Sequence, residues 1–305
     1  MTDGCDGMSK SNVFLLLFSW PDRAAAFAAP AYDESLAIAD MWLNQAVSCD
    51  AGLANWTCGL PCSKASLRNV TVASDAKLST LALTARASDD ECIIVFRGSK
   101  DVWNTLEDLD FFPTDLAGCQ NCKVHSGFLK DWRSLEPGVR DALDALGCGA
   151  GTVAVVGHSL GASMAALAAY ELSASAGGAS TATYALSRVY AYAQPRTGNA
   201  AWAAAFGARM TSLGVPHFRV VLYRDLVPHL PLDNMFFEGW THTAPEVYYN
   251  RTGTGAGSHV TCTDVRDKTC SAQWSALQGH PCDHCSYLGM NPCDCGKTEP
   301  HCVEP

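Results

Sequence analysis

The feature that most constrains the fold is a serine between two glycines, in the segment Gly157-His158-Ser159-Leu160-Gly161. Residues 152–156 before it are typical of a buried strand, and residues 160–172 after it form an alanine-rich helical pattern. A serine at such a tight strand-to-helix turn is backbone-strained, needs small residues two positions away on each side, and faces the helix N-terminus. The pattern therefore predicts Ser159 as a nucleophile and the Leu160 N–H as an oxyanion donor, rather than a chance match in an ordinary loop.

Helical and strand patterns alternate along most of the chain. Strands separated by helices form βαβ units, which predict an α/β fold with a mostly parallel central sheet and helices on both faces. We expect one domain over residues 30–305, with a Cys-rich, irregular C-terminal tail. The predicted helices are 33–46, 128–146, 160–172 and 199–213, and the predicted strands are 81–85, 92–96, 152–156, 189–193 and 218–222.

Two later segments carry the acid and the base that a nucleophilic serine needs. In folds built on this turn the acid and then the histidine follow the serine along the chain. The strand pattern 218–222 ends just before Asp225, which is therefore the predicted acid; Asp233, past two prolines, is the alternative. His284 is the predicted base, with His280 as the alternative. His284 would take the proton from the serine, and Asp225 would fix the tautomer of its imidazole.

Composition favours an extracellular protein. The net charge of −10 argues against nucleic acid and against binding to anionic membranes. Fifteen cysteines, together with N-x-T glycosylation sequences at Asn55, Asn69 and Asn250, favour the secretory pathway. Residues 1–29 resemble a signal peptide, although their apolar run is short and a disordered leader is the alternative. No other apolar run approaches the roughly 20 residues of a membrane span, so we expect a soluble, secreted protein.

Further motifs resemble those of the fungal lipase family, also called class 3 lipases, which includes related feruloyl esterases. They occur in the family's order between about residues 32 and 288, as F-R-G-S at 96–99, C-x-x-C-x-V-H-x-G-F at 119–128, P-R-x-G-N at 195–199, an acid loop at 225–231 and a histidine loop at 283–287. The resemblance implies an α/β-hydrolase fold and carboxylic-ester hydrolysis without a cofactor. It also implies a triad of Ser159, Asp225 and His284, and assigns Ser99 as the second oxyanion donor.

The same resemblance places a lid over the site at residues 101–112. Apolar residues fall there at helical spacing, with polar residues between them. An apolar lid face that turns to lipid would explain activity at a lipid–water interface, whereas an ordinary packed surface helix is the alternative. The apolar face consists of Val102, Trp103, Leu106 and Leu109.

Cysteines and histidines cluster at the C-terminus, where either a zinc site or disulfide bridges could use them. We expect bridges and no metal, because His284 is needed in the triad and the spacing lacks two C-x-x-C pairs. By resemblance to the family, Cys119 pairs with Cys122 and Cys262 with Cys270; a Cys58–Cys62 pair and one bridge from the N-terminal region to the tail are further expectations. Cys92 and Cys148 are expected to be buried free thiols.

The leading hypothesis is a secreted serine hydrolase that cleaves triacylglycerols or phospholipids through an acyl-enzyme. Its expected partner is a lipid or ester substrate, without nucleic acid, cofactor or transmembrane span. An esterase of plant-wall or small aromatic esters is the first alternative. A non-catalytic binding protein on a hydrolase fold is the more distant one, and it would usually have lost a triad residue.

Overall fold

The computed structural model describes residues 31–100, 112–173, 183–233, 239–250 and 258–295. The expected leader, residues 1–29, and the four expected lid residues Val102, Trp103, Leu106 and Leu109 lie outside these ranges. The helices are α1 (Glu34–Ala46), α2 (Leu60–Ser63), α3 (Ser126–Ala145), α4 (Leu160–Leu172) and α5 (Ala200–Ser212). The strands are β1 (Arg68–Asp75), β2 (Thr80–Arg86), β3 (Glu91–Phe96), β4 (Pro113–Asp115), β5 (Lys123–His125), β6 (Thr152–His158), β7 (Ala185–Tyr192), β8 (Gly198–Asn199), β9 (His217–Leu222), β10 (Trp240–Thr241), β11 (Glu246–Tyr249) and β12 (His259–Cys262).

The central sheet has eight strands in the order β1-β2-β3-β6-β7-β9-β11-β12. The five consecutive strands from β3 to β11 are parallel to one another, and the outer pairs are antiparallel. A small antiparallel sheet, in the order β10-β8-β5-β4, lies apart from it. Because parallel strands end at one edge, the segments after β6 and β9 meet there, which brings Ser159 and Asp225 to the same side of the fold.

Helices cover both faces of the sheet, as the alternating pattern predicts. One apolar cluster joins α3, α4 and α5 to the sheet through residues such as Trp132, Met164 and Trp202. The other packs α1 against the opposite face, with Met41 among its buried residues. Twelve of the thirteen residues of α4 are buried, and only small alanine side chains let a helix pack so closely behind the strand that precedes it. The α/β-hydrolase fold expected from the sequence is thereby confirmed.

Seven of the twelve described strands were not expected: the four short strands of the small sheet, and β1, β11 and β12 of the central sheet. β1 is an exposed edge strand, and β11 and β12 follow a proline-rich loop whose sequence gives no alternating pattern. Glu246 in β11 is buried because it lies opposite Arg219 of β9 and bonds with its guanidinium at 2.5 Å. Throughout the described ranges, no helix combines the length and hydropathy needed to cross a bilayer.

Candidate active site

Ser159 lies at the turn between β6 and α4, in a backbone conformation that few residues adopt. Its φ is 58° and its ψ is −129°, and its backbone N–H donates to the Tyr192 carbonyl at 2.9 Å. The flanking glycines allow the turn to close: a Cβ on Gly157 would lie 2.2 Å from the Gly161 oxygen, and a Cβ on Gly161 would lie 2.2 Å from the Phe96 oxygen. Both approaches are far inside van der Waals contact, so the two glycines are required by space.

A chain of hydrogen bonds links the three residues expected to form the triad. The Nε2 of His284 lies 2.9 Å from the Oγ of Ser159, and its Nδ1 lies 3.0 Å from each carboxylate oxygen of Asp225. All three side chains are buried. Because the Asp225 carboxylate only accepts, Nδ1 carries the imidazole proton and leaves the Nε2 lone pair for the serine hydroxyl. This arrangement can remove a proton from Ser159 without rearrangement.

The alternative acid and base lie elsewhere. Asp233 forms an ion pair with Arg196 at 2.8 Å, and three quarters of its side chain is exposed. His280 meets the acid loop through its backbone, in an isolated bridge opposite Asp225 and with its N–H donating to the Arg224 carbonyl at 2.6 Å. His284, and not His280, therefore brings its ring to Ser159.

Tyr287 holds Asp225, the expected acid, in place, a contact that sequence reasoning did not assign. Its hydroxyl donates to the Oδ2 of Asp225 at 2.5 Å and accepts from the Leu222 N–H at 3.2 Å. Burial and the adjacent Asp225 charge raise the pKa of Tyr287 well above its usual value, so the hydroxyl stays protonated and donates. The Val227 N–H donates to the Oδ1 of Asp225 at 2.9 Å. Each carboxylate oxygen of Asp225 thus accepts one further hydrogen bond besides the one from the His284 imidazole.

His158, the residue just before Ser159, holds the backbone of the expected base, His284. Its Nε2 lies 2.9 Å from the His284 carbonyl oxygen, and a carbonyl accepts only, so Nε2–H is the donor. Burial, and then the neighbouring His284, lower the pKa of His158 well below its usual value. The ring is therefore neutral near pH 7, where its Nε2–H donates to the His284 carbonyl. No signal in the sequence separates it from an ordinary core histidine.

The loop after β3 lies against the nucleophile. A Cβ on Gly98 would be 3.2 Å from the Cβ of Ser159, and Ser99 is the next residue in the chain after Gly98. Ser99 also lines a cavity of about 410 Å³ together with Arg97, Lys100 and Cys293. Leu160 is the first residue of α4, where a backbone N–H has no acceptor within the helix. Leu160 directly follows Ser159 in the chain, and Ser99 directly follows a residue that lies against it, while the role of both as oxyanion donors stays a prediction.

Known proteins of similar sequence and structure are lipases. The sequence profile of the family described as lipase (class 3) matches residues 93–235. A solved triacylglycerol lipase, described as having a serine protease triad as its catalytic centre, superposes with a TM-score of 0.71 at 30% identity, covering 88% of this chain and 99% of that one. The chain belongs to the class 3 lipase family.

Other relatives of this class 3 lipase chain agree. It is 33% identical over 241 residues to a lipase from Rhizomucor miehei, covering 78% of this chain and 63% of the relative. It is also 33% identical over 201 residues to secreted mono- and diacylglycerol lipase A from Penicillium cyclopium, covering 62% and 61%. The chain thus spans less than two thirds of the length of these two relatives. The solved Rhizomucor miehei triacylglyceride lipase superposes with a TM-score of 0.72 at 29% identity, covering 88% and 99%.

All thirteen cysteines of this class 3 lipase chain that lie in the described ranges are disulfide-bonded. The expected pairs Cys119–Cys122, Cys262–Cys270 and Cys58–Cys62 are present, and Cys49–Cys295 is the bridge to the tail. The expectation for Cys92 and Cys148 is wrong, because these two residues form a bridge. The register of β3 on β6 explains the error. Cys92 lies opposite Val153, which brings it next to the turn that carries Cys148.

One group of residues near the triad has the ligand types of a metal site. One ring nitrogen each of His158 and His284 and the sulfur of Cys293 lie within 4.8 Å of one another. However, that sulfur is bonded to Cys285, and His284 bonds Ser159 and Asp225. A bridged sulfur is not a thiolate, so the group lacks the anionic ligand that a structural zinc site draws from cysteine.

Proposed function

We propose that this chain is a secreted serine hydrolase that cleaves carboxylic esters of lipids, with acylglycerols as its substrate class. The observation that carries the proposal is the hydrogen-bonded series from the Oγ of Ser159 through His284 to Asp225, at a strained turn that faces a helix N-terminus. The choice of acylglycerols is supported by relatives named as triacylglyceride and mono- and diacylglycerol lipases. Phospholipids remain the second lipid class.

The reaction follows from the contacts. The Oγ of Ser159 attacks the ester carbonyl while the Nε2 of His284 takes its proton, and Asp225 stabilises the imidazolium that forms. The N–H of Leu160, with Ser99 as second donor, binds the oxygen that becomes negative in the tetrahedral intermediate. Collapse of that intermediate breaks the bond to the alcohol, which leaves with the proton from His284. Water then hydrolyses the acyl-Ser159 ester by the same steps, so no cofactor is needed.

Secretion is supported by the chemistry of the described surface. Thirteen bridged cysteines require an oxidising compartment for folding. Asn55, Asn69 and Asn250, the three glycosylation acceptors, are all exposed. The Penicillium relative is itself named as secreted. The expected lid, with Val102, Trp103, Leu106 and Leu109, stays a prediction, and so does activity that depends on a lipid interface.

The test is hydrolysis of an emulsified long-chain triacylglycerol and of a soluble short-chain ester by the purified chain. Ser159→Ala should lower kcat by about 10⁶-fold, because the triad acts as a unit. Ser163→Ala is the matched control: this buried serine lies one turn further along α4 and bonds the Thr197 hydroxyl at 3.0 Å, so turnover should persist. Turnover of only the soluble ester would favour an esterase, and turnover of neither substrate would contradict the proposal.

A further inference from the structure

We propose that the Cys285–Cys293 bridge is a positioning element for the imidazole of His284, and not only a stabilising cross-link. The inference rests on the proposed function, since it assigns His284 the role of base. It starts from how little regular structure carries that residue. His284 lies on the short 3₁₀ turn Pro281–Cys285, and the described chain from there to residue 295 contains no helix or strand, only an isolated bridge between Tyr287 and Met290.

The bridge begins at the residue next to the base. Cys285 follows His284 directly in the chain and is bonded to Cys293. The sulfur of Cys293 lies within 4.8 Å of a ring nitrogen of His284 and of a ring nitrogen of His158. The bridge therefore does two things at once: it ties the backbone beside His284, and it places a sulfur, a weak hydrogen-bond partner at most, beside both imidazoles.

The far end of the bridge is fixed to the rigid part of the fold. Both neighbours of Cys293 contact the C-terminal end of α1: the Ser48 hydroxyl donates to the Pro292 carbonyl at 2.6 Å, and the Gln45 amide donates to the Asp294 carbonyl at 3.1 Å. Two residues beyond Cys293, Cys295 is bonded to Cys49, which lies three residues past the end of α1. A short, doubly bridged path thus connects the base to a helix packed on the central sheet.

The bridged path restrains the segment that carries His284, which no strand of the sheet holds. Ser159 follows the buried strand β6 directly, and Asp225 lies three residues after the end of the buried strand β9, so the sheet sets their positions. His284 has no such strand, and an imidazole displaced by about 1 Å from its near-attack position can cost a hundredfold in rate. The Cys285–Cys293 bridge, a further disulfide at Cys282, the His158 contact and the Tyr287 contact all restrict the histidine segment. Of the two bridged cysteines on the 3₁₀ turn, Cys285 is the one next to His284 in the chain.

A second bridge in the chain provides a matched control. Cys262–Cys270 and Cys285–Cys293 both join cysteines eight residues apart, so each closes a loop of the same length and removes similar chain entropy from the unfolded state. Cys262–Cys270 packs with Val221 and Tyr248 and makes no part of the Ser159–His284–Asp225 series. If removing the two bridges lowers kcat to different degrees, the difference therefore reports the position of the His284 imidazole rather than the stability of the fold.

The experiment compares the full chain with two double variants, Cys285→Ser/Cys293→Ser and Cys262→Ser/Cys270→Ser. Both should lose thermal stability to a similar degree. At a temperature where both are folded, only the first should show a fall in kcat, by about tenfold to a hundredfold, with KM for a soluble ester nearly unchanged. Equal kcat values in the two variants, or a change in KM alone, would overturn the proposal.

A proton signal separates this proposal from the assignment of ester hydrolysis. The N–H between an imidazole and a carboxylate gives a low-field proton resonance that needs no substrate. It should persist in the native chain and in the Cys262/Cys270 variant, and be lost or broadened in the Cys285/Cys293 variant. If the three proteins give these signals but the native chain hydrolyses no ester, the positioning role is supported and the proposed function is refuted. If the signal of the Cys285/Cys293 variant equals that of the native chain, the positioning role is refuted.

If the Cys285/Cys293 variant does not fold, partial reduction of the native chain replaces it. A water-soluble phosphine opens a disulfide to two thiols and is itself converted to the phosphine oxide, with oxygen supplied by water. Cys285 and Cys293 are half-buried, whereas Cys262 and Cys270 are buried, so the first bridge should open earlier. Activity should fall in step with alkylation of Cys285 and Cys293. Full activity after those two thiols are alkylated would refute the inference.

Discussion

Removing one oxygen atom from Tyr287 should weaken both the fold and the proposed triad. In Tyr287→Phe, Asp225 loses a donor at 2.5 Å and the Leu222 N–H loses its acceptor at 3.2 Å, both inside the protein. A hydrogen bond to a charged group contributes about 1.5–3 kcal/mol, and a buried donor left unpaired adds to the loss. We therefore expect the free energy of unfolding to fall by about 3 kcal/mol.

Part of that loss should appear in catalysis, because the Oδ2 of Asp225 would then be held by the His284 ring alone among its described contacts. If about 1.4 kcal/mol of it is lost in the transition state, kcat falls about tenfold, while KM stays near its native value since the Tyr287 side chain is buried. The assay is steady-state hydrolysis of a soluble ester, beside thermal unfolding.

Tyr248→Phe is the matched control for this change. Tyr248 is also buried, but its hydroxyl accepts from the Trp274 indole N–H at 2.9 Å and does not contact the triad. Its loss should cost about 1 kcal/mol of stability and leave kcat unchanged. If Tyr287→Phe behaved in the same way, losing stability with full kcat, then the hydroxyl would only support the fold and the assigned role would be wrong.

Two further predictions concern stability and the surface. Burial raises the pKa of Asp131 from 3.8 to about 6, so the folded carboxyl keeps a proton that the unfolded chain releases, and stability falls as pH rises through that window. Asp131→Asn should therefore gain up to about 3 kcal/mol at pH 7 and almost nothing near pH 4; equal gains in melting temperature at both pH values would contradict this. Asn69 is exposed on β1, at one edge of the central sheet. In chain secreted from a eukaryotic host, Asn69→Gln should remove one glycan by mass and increase aggregation through the uncovered edge, with kcat unchanged. Asn55→Gln, off the strands, is its control, and an unmodified Asn69 would refute the prediction.

The parts of the site that the sequence predicts are those that local chemistry determines. Ser159 is recognisable because the strain of its turn requires Gly157 and Gly161, and the distances of 2.2 Å to backbone oxygens explain why no larger residue fits. Asp225 is recognisable because it lies three residues after the end of an apolar strand. In both cases the residues that identify the site are neighbours in the chain, so the sequence alone is enough to predict it.

The parts that sequence reasoning missed depend on pairings between distant segments. The Cys92–Cys148 bridge requires the register of β3 on β6, and an apolar run containing Cys92 reads equally well as a strand with a core thiol. β11 was missed because Glu246 looks like a surface residue until Arg219 is placed opposite it. A charged residue can be recognised as buried only when its partner on the neighbouring strand is known. Hydropathy alone would place Glu246 on the surface.

His284 combines both situations, which is why its identity could be predicted and its support could not. Chain order after the acid restricts the candidates to a few histidines, and His280, four residues earlier, satisfies the same rule. What separates the two is spatial: the 3₁₀ turn directs His284 to Ser159, whereas His280 is bound to the acid loop through its own backbone. The segment around that turn is held by the Cys285–Cys293 bridge, by His158 and, through Tyr287, by Asp225, so two of the partners come from distant stretches of chain. The position of an expected base on an irregular segment therefore depends on the assembled fold. How that position is maintained is measured by substituting the bridge, His158 or Tyr287, and not by substituting the proposed triad residues.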